Sequence, residues 1–155
     1  MEHVLEAASE LPVPVDVVFD FFSKAENLQR ITPPELDFTI VTPLPFEIEL
    51  GTLIDYRLHL FGIPLSWTSR ISEWQPPRCF TDEQLRGPYA LWVHTHTFEP
   101  TPSGSVIRDR VRYRLPWSPL GDLAYPLVRR QLARIFDYRQ RAVADALLGS
   151  SRSTG

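Results

Sequence analysis

From Leu91 to Leu115 the residues alternate, and the alternation sorts polar groups onto two faces that cannot share one environment. Trp92, His94, His96 and Phe98 fall on one side of an extended chain, with Leu91, Val93, Thr95 and Thr97 on the other. After a turn at Pro100-Thr101-Pro102-Ser103-Gly104, Ile107, Asp109, Val111, Tyr113 and Leu115 alternate with Arg108, Arg110, Arg112 and Arg114. A row of unpaired arginines is not tolerated in a dry core, so the Ile/Val/Tyr side is the inner one. Pairing Phe98 with Ile107 then sets His96 opposite Asp109, His94 opposite Val111 and Trp92 opposite Tyr113. The inner face is apolar with ionisable groups set into it, the pattern of a pocket more than of a plain core.

Turn signals at Phe61-Gly62-Ile63-Pro64, Gln75-Pro76-Pro77-Arg78 and Gly87-Pro88 divide the preceding chain into strands over 52–60, 65–74 and 79–86. Earlier, 3–11 and 36–42 read as strands. Between them, 15–23 carries Val15, Val18, Phe19 and Phe22 at helical spacing, and 25–31 carries Leu28 and Ile31 before Pro33-Pro34 stops it. The spacing predicts a closing helix over 120–148, with Leu123, Leu127, Val128, Leu132, Ile135, Phe136, Val143 and Leu147 as its apolar stripe. Pro126 either marks the first turn of that helix or kinks it, and Gly149 ends it. Strands in succession favour an antiparallel sheet over βαβ units. The expected fold is α+β: a curved sheet of about seven strands, two short N-terminal helices, and the long helix across the concave face. The expected organisation is one domain over 1–149 with a flexible tail over 150–155.

Composition narrows the function. A net charge of -3 argues against a nucleic-acid binder, which needs a basic surface excess. The lone Cys79 cannot form an internal disulfide, which suits a reducing compartment. The first residues lack the features of a signal peptide, and no apolar run approaches the length of a membrane span. The expectation is a cytoplasmic protein without integral membrane association, a monomer or weak homodimer.

Three segments carry a resemblance. Val13-Pro14-Val15-Asp16-Val17-Val18-Phe19-Asp20-Phe21-Phe22, Ile71-Ser72-Glu73-Trp74-Gln75-Pro76-Pro77-Arg78-Cys79-Phe80 and Arg134-Ile135-Phe136-Asp137-Tyr138-Arg139 resemble the opening strand-to-helix passage, the Pro-Pro hairpin and the closing helix of the START-like, Bet v 1-like superfamily. This is the helix-grip fold, also grouped with polyketide cyclases, and the likeness spans roughly Val4 to Leu148. The resemblance implies an internal apolar cavity for lipids, polyketides, hormones or other hydrophobic molecules. Its members include carriers, sensors, cyclases and hydrolases, so fold alone does not decide the chemistry.

His94-x-His96 is the sharpest local signal. On a strand the two imidazoles point the same way, ~6.5–7 Å apart. Placing Leu85 opposite Trp92 across the Gly87-Pro88 turn brings Glu83 opposite His94, while Asp109 faces His96. Two histidines and two carboxylates could hold a metal, but each histidine can equally be neutralised by the acid beside it. A satisfied polar cluster that also touches ligand is preferred, and neither metal nor cofactor is assigned. Arg70 faces Glu83 in one register and lies outside in the other; inward Tyr56, Leu58 and Leu60 favour the second, with Trp67, Ser69 and Ile71 inside. The expected partner is a small hydrophobic molecule. Its binding set is Tyr56, Leu58, Trp67, Ile71, Glu83, Trp92, His94, His96, Phe98, Asp109, Val111 and Tyr113, with Leu132 and Phe136 from the helix. A carrier or sensor is preferred. The alternatives are a cyclase/aromatase-like enzyme with His94 or His96 as general base, tuned by Asp109 or Glu83, and a protein-interaction module.

Overall fold

The alternating hairpin forms the middle of the molecule's sheet. In the computed structural model, which describes residues 1–152 and their side chains through Gly149, β6 (Leu91–Thr101) pairs with β7 (Gly104–Arg114). Its register sets Trp92 on Tyr113, His94 on Val111, His96 on Asp109 and Phe98 on Ile107. The arginine row faces outward, where Arg108, Arg110 and Arg112 meet Glu99, Glu6 and Glu2. Gly104 is required at the start of β7, since a Cβ there would come within 2.0 Å of the Leu11 carbonyl oxygen.

The remaining strands are β1 (His3–Leu11), β2 (Thr39–Ile40), β3 (Leu53–Leu60), β4 (Ile63–Gln75) and β5 (Cys79–Arg86). All pair antiparallel in one seven-stranded sheet of order β1-β7-β6-β5-β4-β3-β2. A two-residue turn joins β3 to β4. Phe61 and Gly62 both hold positive φ there (52° and 77°), as a turn matched to strand twist demands. A register shift between Ile71 and Glu73 lets Ile71 and Trp74, three residues apart, both pack inward.

Helices α1 (Val15–Phe22) and α2 (Glu26–Arg30) cross from one sheet edge to the other, and α3 (Tyr125–Arg152) lies along the concave side. This is the α+β helix-grip architecture. Phe19 and Phe22 of α1 meet Phe98 at ring separations of 5.3 and 5.4 Å and seal one end of the groove. Trp67, Tyr89, Trp92 and Tyr113 pack with Val128, Leu132 and Phe136 at the other.

Three boundaries differ from expectation. The 36–42 strand shrinks to Thr39–Ile40 because Pro34–Leu36 forms a 3-10 turn, closed by Asp37 at φ 46°. The closing helix starts at Tyr125 after a 3-10 segment (Leu120–Ala124), with Pro126 in its first turn, where a missing N–H costs nothing. Leu123 and Leu127 therefore leave the apolar stripe and stand 81% and 55% exposed, while Val128, Leu132, Phe136 and Val143 are buried. At the other end α3 continues through Gly149 to Arg152. Residues 153–155 of the expected 150–155 tail lie outside the described residues. Among the described residues no helix is long and apolar enough to cross a membrane.

Candidate functional site

Where the curved sheet and α3 diverge, a cavity of about 170 Å³ remains. A buried void of roughly 150 Å³ accepts a benzene-sized molecule, so the space holds about one aromatic ring without rearrangement. Its walls come from alternate positions of four strands: Tyr56 and Leu58 on β3, Trp67 and Ile71 on β4, Phe80 and Asp82 on β5, Trp92, His94 and His96 on β6. Leu132, Ile135, Phe136 and Arg139 close it from α3. Polar atoms in the aromatic wall are satisfied locally. Ser69 Oγ accepts from Trp67 Nε1 at 3.0 Å and lies 3.2 Å from the Tyr56 hydroxyl. Burial pushes the Tyr56 and Tyr89 phenols up, so both stay neutral.

A polar cluster divides the apolar interior in two. His94 and His96 stack at 3.7 Å, and His96 stacks in turn on Phe80 at 4.0 Å. His94 Nε2 donates to Asp109 Oδ1 at 2.8 Å; a carboxylate only accepts, so His94 Nδ1 carries the lone pair. Arg139 donates to His96 Nδ1 at 3.1 Å, which leaves the His96 proton on Nε2, donated to Asp82 Oδ2 at 2.7 Å. His94 Nδ1 looks toward the same Asp82 oxygen at 3.9 Å, beyond hydrogen-bond reach. Burial, reinforced by the neighbouring His96, lowers the His94 pKa to about 4 against the weaker pull of Asp109 and Asp82, so the ring is neutral. Burial alone would raise the Asp82 and Asp109 carboxyls. The His96 hydrogen bond and the charges around it outweigh this at Asp82, as Arg139 and both imidazoles do at Asp109, so both remain ionised.

Of the expected binding set, Tyr56, Leu58, Trp67, Ile71, Trp92, His94, His96, Leu132 and Phe136 line the cavity. Four others sit behind its wall. Phe98 is covered by Phe19 and Phe22, Tyr113 by His3 and Tyr89, and Val111 is wholly buried in solid packing. Asp109 lies a layer deeper, holding His94. Glu83 is the clear correction. It aligns with Val93, and its carboxylate meets Arg70 on the outer face, while Asp82 stands opposite His94. An inward Glu83 would have turned Phe80, 4% exposed, out into water. The Gly87–Ala90 connection sets this parity: Tyr89 is buried, and the Gln84 side chain grips both its N–H and its carbonyl. Arg70 is on the outside, and Trp67, Ser69 and Ile71 are inside.

Two charged residues of the polar cluster escaped the sequence reading. Asp82 was hidden by the parity of a polar run. Arg139 left a signal: it falls between Phe136 and Val143 on the apolar stripe of α3, where a cation needs a buried partner. Its guanidinium also lies 5.3 Å from the centre of the Phe22 ring.

The fold has known counterparts. The chain belongs to the polyketide cyclase/dehydrase and lipid transport family, whose model matches residues 11–137, and so to the START-like, Bet v 1-like superfamily. The Zhui aromatase/cyclase from Streptomyces sp. R1128 superposes with a TM-score of 0.81 at 16% identity, covering 100% of this chain and 99% of that one. Ara h 8.0201 superposes at 0.63 with 19% identity, over 92% of this chain and 98% of that one. A nucleoside-diphosphate sugar epimerase from Corynebacterium glutamicum is 25% identical at TM-score 0.73, over 97% of this chain but only 30% of its own length. A search of curated proteins returns no significant match.

Proposed function

We propose that this protein binds a small hydrophobic molecule between the sheet and α3, as a carrier or sensor. The observation that carries the reading is the cavity of about 170 Å³ with aromatic walls and a polar cluster at one end. Apolar area removed from water supplies most of the affinity. About 150 Å² buried at ~25 cal/mol per Å² gives roughly 4 kcal/mol before entropic costs. That corresponds at best to about millimolar affinity, so tighter binding requires a ligand that buries more apolar area than one ring. His94, His96 and Asp82 orient the polar atoms of the ligand.

The test is intrinsic tryptophan fluorescence against a panel of fatty acids, polyketides and aromatics. A saturable change that Trp92→Ala weakens supports the reading; a panel without response rejects it. Native mass spectrometry of protein purified from its own host identifies a copurifying ligand directly.

A cyclase-type enzyme is the second reading, favoured by one observation: Asp109 holds His94, a residue of the cavity wall, so that its bare Nδ1 is turned toward Asp82 at 3.9 Å. In that case His94 or His96 removes a proton next to a carbonyl. A group with a pKa of about 4 is unprotonated at neutral pH but a weak base, far from the matched pKa that general-base catalysis favours. This places the enzyme second. Turnover of a poly-β-keto substrate that His94→Ala or His96→Ala abolishes in folded protein reverses the order.

A further inference from the structure

We propose that Asp82, His94 and His96 bind a divalent first-row transition ion at the polar end of the cavity. One nitrogen from each imidazole and one carboxylate oxygen lie within 4.8 Å of one another. Ligands bound at ~2.0–2.1 Å in a tetrahedral shell stand about 3.3 Å apart, and the set closes when the two imidazoles, stacked at an interplanar angle of 25°, tilt out of the stack toward one ion. Asp82 Oδ2 is 2.7 Å from His96 Nε2 and 3.9 Å from His94 Nδ1. The first distance opens slightly and the second closes. With Glu83 in place of Asp82, as the sequence suggested, this grouping does not exist.

Three features mark the cluster as more than an ion-paired core. Asp109 accepts the Nε2 proton of His94 at 2.8 Å, which fixes the tautomer that presents bare Nδ1 to Asp82. This is the carboxylate–histidine–metal arrangement that orients a ligating imidazole and raises its basicity. The same Asp109 oxygen lies 3.4 Å from His96 Nδ1. When His96 Nε2 changes from donor to ligand, its proton passes to Nδ1 and is donated to Asp109. The ring stays neutral, and no proton need leave the site. Arg139, which contacts the nitrogen of His96 remote from Asp82, then turns to Asp109, now 3.9 Å away.

Charge supplies the third feature. Two carboxylates face one guanidinium with both imidazoles neutral, so the buried cluster carries one negative charge in excess. A divalent ion reverses that excess, and an anionic ligand oxygen, carboxylate or enolate, entering from the cavity neutralises it. All three ligands line the cavity, so further coordination positions open onto it. Imidazole with carboxylate suits zinc, cobalt and iron(II) and disfavours magnesium and calcium.

The experiment uses tag-free, chelator-stripped protein titrated with cobalt(II) and zinc(II). The expected result is one saturable site with a visible cobalt spectrum, abolished in Asp82→Ala and His94→Ala and weakened about 10–100-fold in Asp109→Asn. Imidazole nitrogen NMR of the wild type bypasses any folding defect of the variants: zinc should move His94 Nδ1 and His96 Nε2. Absence of saturable binding overturns the proposal, as does cobalt binding that survives in both Asp82→Ala and His94→Ala or a zinc response confined to His3 and His59. Titration of the stripped protein with an apolar probe tests the cavity reading separately, so the failure of either leaves the other readable.

Discussion

Replacing His94 with glutamine should flatten the acid limb of the protein's stability curve. In the folded chain His94 titrates at about 4, against 6.5 for an exposed histidine. Between those values the unfolded chain holds a proton that the native state refuses, so stability falls as pH drops from 6.5 and levels off below about 4. Above 6.5 neither state holds the proton, and the group contributes no slope. At about 1.4 kcal/mol for each pH unit, the loss across that window is about 3 kcal/mol, a large part of an ordinary domain's margin. Glutamine keeps an N–H for Asp109 but does not titrate. The assay is urea denaturation in chelator-containing buffer at several pH values from 7.5 to 4.5, with wild type and His94→Gln compared by slope against pH rather than by absolute stability. Parallel slopes would refute the reasoning, because the buried ring would then titrate as it does in the unfolded chain.

Further outcomes follow from the same cluster. From the ordinary carboxylate range downward, stability should fall a second time, because the unfolded chain takes up protons that Asp82 and Asp109, both held low in the native state, refuse; acid titration of the His94→Gln variant isolates this limb. Arg139→Met leaves Asp109 buried without its cation and should cost about 3–5 kcal/mol by urea denaturation. Glu83→Gln touches only an outward, partly exposed pair with Arg70 and should cost about 0–1 kcal/mol. Asp82→Asn, one residue away, loses a charge-assisted bond to His96 and should cost about 1–3 kcal/mol. Equal costs at these neighbours would contradict the register.

Legibility in the sequence followed the contrast between faces. In β6 and β7 the arginine row leaves a single acceptable orientation, and every expected cross-strand pair from Trp92–Tyr113 to Phe98–Ile107 is present. In β5 the run Thr81-Asp82-Glu83-Gln84 is polar at every position, so alternation says nothing about which acid turns inward. That choice is made elsewhere, by Phe80 seeking the core and by Gln84 gripping the backbone of Tyr89. The cavity wall was mostly legible because aromatics and histidines share the inner parity. Its depth was not: period two assigns a face but does not tell a lining residue from one beneath it, which is why Phe98, Val111 and Tyr113 are packed solid. Arg139 shows a different limit, since its partner Asp109 lies 30 positions away on another element.

The four tryptophans offer the most direct test of a ligand lodged between sheet and helix. Trp67 and Trp92 face the hollow, Trp74 packs against Phe19 and Phe80 outside it, and Trp117 stands 84% exposed. Indole N–H resonances of labelled protein, followed while a naphthalene-class compound is added, should move for Trp67 and Trp92 and stay fixed for Trp74 and Trp117. Movement of Trp117 alone, the signature of surface adsorption, or no movement at all, would contradict the account.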